Sequence, residues 1–346
     1  MFEYAVEGVL IVIFGTFGVL GNALLIQLFF KKGVILNFQK LMVALAIYDT
    51  LYTLLSIINF SMPELVDAFT YYGYYQFMVP TTIPMMQVAL TGSTYCIAGI
   101  SLERYLTVCH PFFVARTQWS ARRYIIPITT LSLLYNVPHF FELRAEEVRS
   151  NYDMDEVHNS TTDTWENMPN YHVFLTPLRK NKYYYLIYII GLNSIINGII
   201  PYASILILNT ILYKRLKMLA NQQSFQSHFS FNEVMLSKVS LINSMVFILF
   251  HSFKWIANIY EVIQRINHSD AEKDIEWPSW VEHMTQASHF LITLNSSLHF
   301  YIYWGAHHLL PVSMLVECRR QSTAIEMRSN NTAIEMRSNN NHAITI

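Results

Sequence analysis

Charge is scarce in this sequence, and its scarcity is the first clue to the class of protein. Asp, Glu, Lys and Arg make up 14% of the residues, whereas about a quarter of the residues of an ordinary soluble protein are charged. Hydrophobic residues make up 53% of the chain, and the mean hydropathy is +0.27. The composition therefore indicates a membrane protein. The net charge of −1 supplies no basic field, so we expect no nucleic acid among the partners.

Cysteines and enzyme motifs are also sparse. The three cysteines, Cys96, Cys109 and Cys318, are too few and too scattered for a disulfide framework or a thiolate zinc site. The sequence shows no paired catalytic carboxylates, zinc-binding histidine pair or phosphate loop, so we expect neither an enzyme nor an organic cofactor. Met1–Glu7 lacks the positive start of a cleavable signal peptide, and the apolar run after it is long enough to span a membrane by itself.

Long apolar stretches are what the sequence has in abundance. A helix needs about 20 mainly apolar residues to cross a bilayer, and seven stretches meet or approach that length: 8–30, 41–62, 77–102, 124–141, 183–213, 239–260 and 283–304. Asp49 is the only charge in the second stretch and Lys254 the only charge in the sixth. We predict an all-α membrane protein built as a bundle of seven transmembrane helices.

The distribution of charge between the spans predicts their orientation. Lys and Arg concentrate after the first, third and fifth spans, whereas the other loops are acidic: 142–182 holds eight acids against five bases. By the positive-inside rule the amino terminus lies outside and the tail in the cytoplasm. We therefore divide the chain into a short extracellular amino terminus (1–7), a transmembrane domain (8–304) and a cytoplasmic tail (305–346).

Three features lie in the predicted loops and tail. The long outer loop contains Asn159-Ser160-Thr161, an N-glycosylation acceptor. The tail repeats TAIEMRSNN at 323–331 and 332–340, which we interpret as a duplicated, polar, disordered segment. Cys318 is a candidate for palmitoylation, with a plain free thiol as the alternative.

Two polar groups stand out within the spans. An Arg at the end of an apolar helix, here Arg104 in the triplet Glu103-Arg104-Tyr105, is costly unless it faces protein or water. It is either a functional switch or an anchor that reaches the headgroups. A carboxylate at mid-membrane, here Asp49, must face the bundle interior. It either binds an ion or water, or ties helices together as a hydrogen-bonded or protonated acid.

These features together resemble the rhodopsin-like (class A) G-protein-coupled receptors over roughly residues 8–304. The ordered markers are Gly21-Asn22, LAIYD at 45–49, the ERY triplet, Pro201 and Trp255. Four segments are more narrowly similar to invertebrate FMRFamide-like neuropeptide receptors, nematode members included. They are ERYLTVCHP at 103–111, YNVPHFFE at 135–142, HSFKWIANIYE at 251–261 and HFLITLNSSLHFYIY at 289–303.

The resemblance implies roles for particular residues and partners for the chain. It implies a plasma-membrane receptor that activates a heterotrimeric G protein and also binds arrestin. The implied G-protein switch is Glu103, Arg104, Tyr105 and Tyr303, and the implied activation toggle is Trp255. The implied polar network, with sodium bound at Asp49, consists of Asn22, Asp49, Ser93, Asn295 and Ser296.

Three departures from the family pattern bear on mechanism. Ala257 stands where the proline after the sixth-span Trp is expected, so the usual cause of a kink is missing. His299-Phe300 replaces the Asn-Pro pair before Tyr303. Val79 replaces the Cys expected at the top of the third span, and the loop 142–182 contains no Cys. The customary external disulfide cannot form, and we expect packing to hold that loop.

The nature of the ligand follows partly from absences. Amine receptors of this family need an acid in the outer third span, where Met86 stands, and opsins need a seventh-span Lys, which is missing. The residues predicted to line the extracellular opening of the bundle, which we call the outer mouth, have aromatic, amide and acidic side chains. They are Gln87, Asn258, Glu261, Gln264, Glu282, Gln286 and His289. Such a mouth suits a peptide with apolar side chains and an Arg, because carboxylates bind guanidinium bidentately.

Glu261 and Glu282 are the first candidates for binding that Arg and Glu142 is the third. For each of them the alternative is a solvated loop acid without a ligand.

We predict a receptor for a short amidated FMRFamide-like neuropeptide. The alternative is a nematode chemosensory receptor of the same fold. A transporter or intramembrane enzyme is disfavoured because the sequence shows no inverted halves and no catalytic motif.

Overall fold

The computed structural model describes residues 1–32, 36–67, 73–117, 120–147, 171–220, 231–267 and 278–306. The predicted glycosylation site Asn159, the palmitoylation site Cys318 and the tail repeat lie outside these residues. The chain divides into two compact units, Met1–Phe300 and Tyr301–Ile346. The described part of the second unit, residues 301–306, is helical and contains Tyr303.

Seven long helices make up most of the described part of the first unit. They are α1 (Ile11–Lys32), α2 (Asn37–Ser56), α3 (Tyr74–Cys109), α4 (Arg122–Asn136), α5 (Ile200–Ala220), α6 (Phe231–Asn267) and α7 (residues 279–300). Shorter helical pieces extend or connect them: Tyr4–Leu10, Ile57–Ser61, Met62–Leu65, Pro111–Thr117, Val137–Phe141, Pro177–Lys180, Lys182–Tyr184, Tyr185–Leu192 and Ser194–Ile199.

All seven predicted spans fall on helical residues. Among the described residues, five helical stretches are long and apolar enough to cross a membrane by length and composition: Tyr4–Lys31, Asn37–Leu65, Tyr74–Cys109, Lys182–Leu219 and Val234–Tyr260. The fourth predicted span is the shortest, with α4 continued by the 3₁₀ helix Val137–Phe141. The segment predicted as the amino-terminal tail, 1–7, is helical from Phe2 onward and leads directly into α1.

The two-stranded hairpin is an element that hydropathy did not predict. Strands β1 (Leu143–Glu147) and β2 (Tyr171–Leu175) pair antiparallel, with Leu143 opposite Leu175. Both strands contact α3, and the rings of Phe77 and Tyr171 lie 5.1 Å apart between centroids. The hairpin therefore packs on the first turns of α3, and we call this end of the bundle the hairpin end.

Helix α3 is the element on which the other helices pack. It contacts α2, α4, α5 and α6, and its residues Ala89, Cys96 and Ile97 are at most 1% exposed. Gly92 lets α2 come close, because a Cβ there would lie 2.4 Å from the Tyr48 ring. Small residues at such contacts are what allows helices to approach in a membrane bundle, where close packing holds them together.

Polar side chains of α3 join it to its neighbours, and we call them the polar seam: Thr91, Ser93, Tyr95 and Ser101. Ser93 donates a hydrogen bond to Asp49 Oδ1 of α2 at 2.6 Å, and Tyr95 donates to the Ile196 carbonyl at 2.7 Å. Asn136 of α4 donates to Thr91 at 3.1 Å, and the hydroxyls of Ser101 and Ser244 of α6 lie 3.1 Å apart. These bonds fix the rotation of each helix about its axis.

Replacing Gly18 with Ala tests how tightly α1 and α7 pack. A Cβ at Gly18 would lie 2.1 Å from Ser297 Oγ and 3.0 Å from Ser297 Cα, so the backbone of α7 has to move. We expect Gly18→Ala to destabilise the fold by about 1–3 kcal/mol, the usual cost of overpacking, measured as a lower apparent melting temperature in detergent. Gly191→Ala is the control, because its nearest contact is an ordinary 3.4 Å. Equal melting temperatures for the two variants would contradict the prediction.

Candidate functional site

A buried ion pair lies near the end of α3 opposite the hairpin, which we call the Arg104 end. Arg104 donates from Nε to Glu103 Oε2 at 2.5 Å and from its second guanidinium nitrogen to Glu103 Oε1 at 2.7 Å. The two side chains are only 2% and 7% exposed. A bidentate pair of neighbouring residues keeps both charges satisfied where water has little access.

Further contacts hold this pair in place. The Arg104 guanidinium lies over the Phe38 ring of α2 at 4.9 Å, and Thr107 donates to Glu103 Oε1 at 3.2 Å. Tyr105, also predicted for the switch, is directed elsewhere, since its hydroxyl lies 2.9 Å from His110 Nε2. Tyr303 belongs to the second unit, so only its helical conformation is described.

Asp49 is fully buried between α2, α3 and α7. One carboxylate oxygen accepts the hydrogen bond from Ser93, and the other lies 3.4 Å from His299 Nε2. Asn22 donates to the Ser296 carbonyl at 3.1 Å, so the predicted network does join α1 and α7. The Asn295 amide is buried, and neither its oxygen nor its nitrogen has a hydrogen-bond partner among the described residues.

Three buried oxygen atoms of α2 and α7 are of the kind that sodium prefers. Asp49 Oδ2, Thr53 Oγ1 and Asn295 Oδ1 are buried without hydrogen-bond partners in the described part of the chain. Hard cations take carboxylate, hydroxyl and amide oxygens, so these groups fit a sodium ion. His299 departs from the oxygen set, because it brings a nitrogen beside the carboxylate.

Trp255 of α6 packs towards the fifth helix. A Cβ at Gly198 would lie 2.6 Å from the Trp255 ring, so glycine is what admits the indole. The Tyr202 and Trp255 rings meet edge to face, with centroids 6.4 Å apart. Within the described residues these contacts connect the predicted toggle to α5 rather than to Asp49.

A cavity of about 160 Å³ opens in the half of the bundle nearer the hairpin. Three predicted ligand residues line it: Gln87, Asn258 and His289. Apolar Met86, Leu90 and Ile292 share the wall with polar Tyr52, Lys254 and Ser288. A mostly apolar concavity with a few converging polar groups is the usual form of a ligand site.

Three of the other predicted ligand residues do not line the cavity. Gln264 and Gln286 are partly buried outside it, and Glu282 is exposed at the start of α7. The side chain of Glu261 lies outside the described residues. The described lining of the cavity thus includes three of the seven predicted ligand residues and no acid.

His289 is engaged within the protein. Its Nδ1 lies 2.6 Å from Glu7 Oε1, and its ring stacks on Phe60 with centroids 4.0 Å apart. Glu7 is only 7% exposed, and Ser61 donates to its carbonyl at 2.6 Å. The helical turn before α1 therefore contributes a buried acid to the wall beside the cavity.

Glu142, the third candidate for a ligand Arg, already has internal partners. Its carboxylate lies 2.7 Å from His139 Nδ1, and it accepts hydrogen bonds from Arg179 at 2.9 Å and Tyr184 at 2.7 Å. Burial raises the pKa of Glu142, but the bond and charge of His139, the bond from Tyr184 and the charge of Arg179 together lower it below its ordinary value. This cluster fastens the hairpin to the end of α4, where no disulfide is available.

Sequence reasoning missed three residues that the structure brings into the site. From the sequence, Glu7 belongs to the short extracellular amino terminus, and Lys254 is only the single charge of the sixth span. His299 was recorded as a departure from the family, without a partner. The signal available for Lys254 was its position as the only charge of an apolar helix, which marks a functional residue by default.

A bundle of membrane-length helices with a buried ion pair near one end and a small, mostly apolar cavity towards the other has the architecture of a membrane receptor. The chain belongs to the family of 7 transmembrane receptors (rhodopsin family), whose model matches residues 21–303. This match confirms the fold class and family that the sequence predicted. The protein is therefore a multi-pass protein of the plasma membrane.

Two relatives bear names that state a ligand. The chain is 30% identical over 314 residues to a Drosophila melanogaster protein named FMRFamide receptor, a match that covers 87% of this chain and 51% of the relative. It is 23% identical over 294 residues to the Caenorhabditis elegans protein named FMRFamide peptide receptor frpr-18, covering 83% of this chain and 63% of that one. The chain thus spans about half to two thirds of the length of these relatives.

Glu142→Gln tests the cluster that holds the hairpin. Because folding lowers the Glu142 pKa, its contribution to stability is complete above the ordinary value of 4.5 and is lost as pH falls through the lowered value. Hydrogen bonds to a charged group contribute about 1.5–3 kcal/mol, so we expect hydrogen-exchange protection of β1 and β2 to fall by roughly tenfold in Glu142→Gln at neutral pH. Glu147→Gln, at an exposed strand position, is the control. Unchanged protection in Glu142→Gln would contradict this role.

Proposed function

We propose that this protein is a receptor for a short amidated FMRFamide-like neuropeptide and that it activates a heterotrimeric G protein. The observation that carries the proposal is the 30% identity, over 87% of this chain, to a protein named FMRFamide receptor. The cavity supports it, because its amide side chains can hydrogen-bond the end of a peptide and its apolar side chains can pack against an aromatic ring. The absence of an acid at Met86 and of a Lys in the seventh span disfavours amines and retinal.

The orientation is part of the proposal. We place the hairpin end outside the cell and the Arg104 end in the cytoplasm, because the connections after α1, α3 and α5 carry the Lys and Arg excess. The cavity then opens towards the extracellular peptide. The Arg104 end then faces the G protein and, after activation, arrestin.

The proposed mechanism is a shift between two states of the bundle. In the resting state Glu103 and Arg104 hold each other in a buried pair. A ligand that binds the active state more tightly pulls the equilibrium towards a bundle in which this pair is broken and Arg104 meets the G protein. Moving the population from 1:99 to 99:1 takes about 5.5 kcal/mol of differential affinity.

A panel of amidated peptides applied to cells that express this chain with a promiscuous G protein tests the function. We expect FMRFamide-like peptides to give a saturable response, and cells without the receptor to give none. Silence across the panel, at verified surface display, would contradict the proposal and favour the chemosensory alternative.

Substitutions at the ion pair test the switch. We expect Arg104→Ala to abolish signalling and Glu103→Gln to raise ligand-independent signalling, because the Gln variant removes the charge that holds Arg104. Since a charge-assisted hydrogen bond contributes about 1.5–3 kcal/mol, the resting equilibrium should move by roughly tenfold or more. Arg122→Ala, at an exposed position of α4, is the control. Normal signalling by Arg104→Ala at equal surface expression would refute the assignment.

We also propose that Asp49, Ser93 and Asn295 hold a sodium ion, which would neutralise the carboxylate in the resting state. We expect the purified receptor to melt at a higher temperature in sodium chloride than in choline chloride, and Asp49→Asn to lose this difference. His299→Asn should enlarge it, because an amide oxygen replaces the nitrogen near Asp49 Oδ2. Equal melting temperatures of the wild type in the two salts would count against the ion.

A further inference from the structure

The charge that faces the cavity is positive. Lys254 lines it, whereas none of the described lining residues is an acid. Among the described residues no carboxylate lies within 4.0 Å of the Lys254 ammonium group, and none of their hydrogen bonds involves its side chain. The nearby acid Glu7 is already bonded to His289.

An ammonium group in such a place is costly without a partner. Lys254 lies on an apolar helix and is only partly exposed, next to buried Ala257. Removing a charge from water without a counter-charge or hydrogen-bond acceptor destabilises a fold. A residue that lowers the stability of the fold and faces a cavity is expected to bind a ligand.

The size of the cavity limits what enters it. Its volume of about 160 Å³ is close to that of an engineered cavity that accepts one benzene ring, about 150 Å³. Met86, Leu90 and Ile292 offer apolar contacts to such a ring. The cavity therefore takes one aromatic side chain with its adjoining polar group, and the rest of a peptide stays outside.

Resting on the proposed function, we infer that Lys254 donates a hydrogen bond to the terminal carbonyl oxygen of the peptide, whose last aromatic side chain fills the cavity. An ammonium group repels a guanidinium, so the peptide's Arg remains outside the cavity, within reach of exposed acids such as Glu282. Glu282 is one of the two acids that the sequence predicted first for this Arg, and Lys254 separates that Arg from the cavity that takes the aromatic side chain. The acceptor oxygen belongs either to a carboxamide or to a free carboxylate, and the experiment separates the two.

The test combines two receptor variants with three ligands. Lys254→Met keeps the length of the side chain and removes its charge, whereas Lys254→Arg keeps the charge. The ligands are FMRFamide, the same peptide as a free acid, and an analogue that ends in phenethylamide and so lacks the terminal carbonyl group. Lys182→Met, at an exposed lysine, is the matched control.

We expect Lys254→Met to lower the potency of FMRFamide at least tenfold and that of the free acid further, with Lys254→Arg and Lys182→Met within threefold of the wild type. The phenethylamide analogue should be weak on the wild type and no weaker on Lys254→Met, because the contact is already absent. Equal fractional losses for all three ligands would overturn the inference and leave the receptor function standing.

The melting temperature of the purified receptor tests the inference even if no peptide activates the receptor. We expect Lys254→Met to raise the apparent melting temperature of the purified receptor, because it removes a charge without a counter-charge. Millimolar N-acetylphenylalanine amide or N-acetylphenylalanine should raise the melting temperature of the wild type and Lys254→Arg, but not of Lys254→Met. A Lys254→Met variant that is less stable than the wild type would show that Lys254 serves the fold, and would overturn the inference.

Discussion

A polar group inside an apolar bundle must find its partner within the protein, because lipid offers none, and this requirement explains why α3 lies at the centre. The polar seam of α3 reaches α2 through Ser93 and Asp49, α4 through Thr91 and Asn136, and α6 through Ser101. Each bond forms only at one rotation of the helices it joins. The glycines at the same contacts allow the close approach that such short side chains need.

The charged side chains of the bundle differ in how many of their polar atoms have partners within the protein. This difference separates the ion pair at the Arg104 end from the sites around Asp49 and Lys254. Glu103 and Arg104 form a complete bidentate pair, which is the property expected of a resting state that must be stable. Asp49 Oδ2 has no hydrogen-bond partner among the described residues, and none of the ion pairs between described residues involves Lys254. A buried charge without a full set of partners lowers the stability of the fold. A protein retains such a charge where a bound ion or ligand supplies the missing partner.

Helix positions could be predicted from the sequence because length and hydropathy alone decide which segments can lie in a membrane. The hairpin could not, since β1 is only five residues long and LRAEE includes Ala and two Glu, which strands disfavour, and it forms a strand by pairing with β2, which follows much later in the chain. The predicted candidates Gln87, Asn258 and His289 do line the cavity. Their surroundings depend on contacts that no local pattern carries, such as that between His289 and Glu7, 282 residues apart.

The contacts also indicate how the two ends of the bundle are connected. Trp255 of α6 packs on Gly198 and Tyr202 of the fifth helical stretch. Further along α5, Asn209 donates to Ser101 at 3.1 Å. Ser101 lies one turn of α3 before Arg104, so α5 contacts α6 at Trp255 and α3 close to the ion pair. With Ala257 in place of proline, α6 runs unbroken from Phe231 to Asn267, as expected of a helix that lacks the usual cause of a kink.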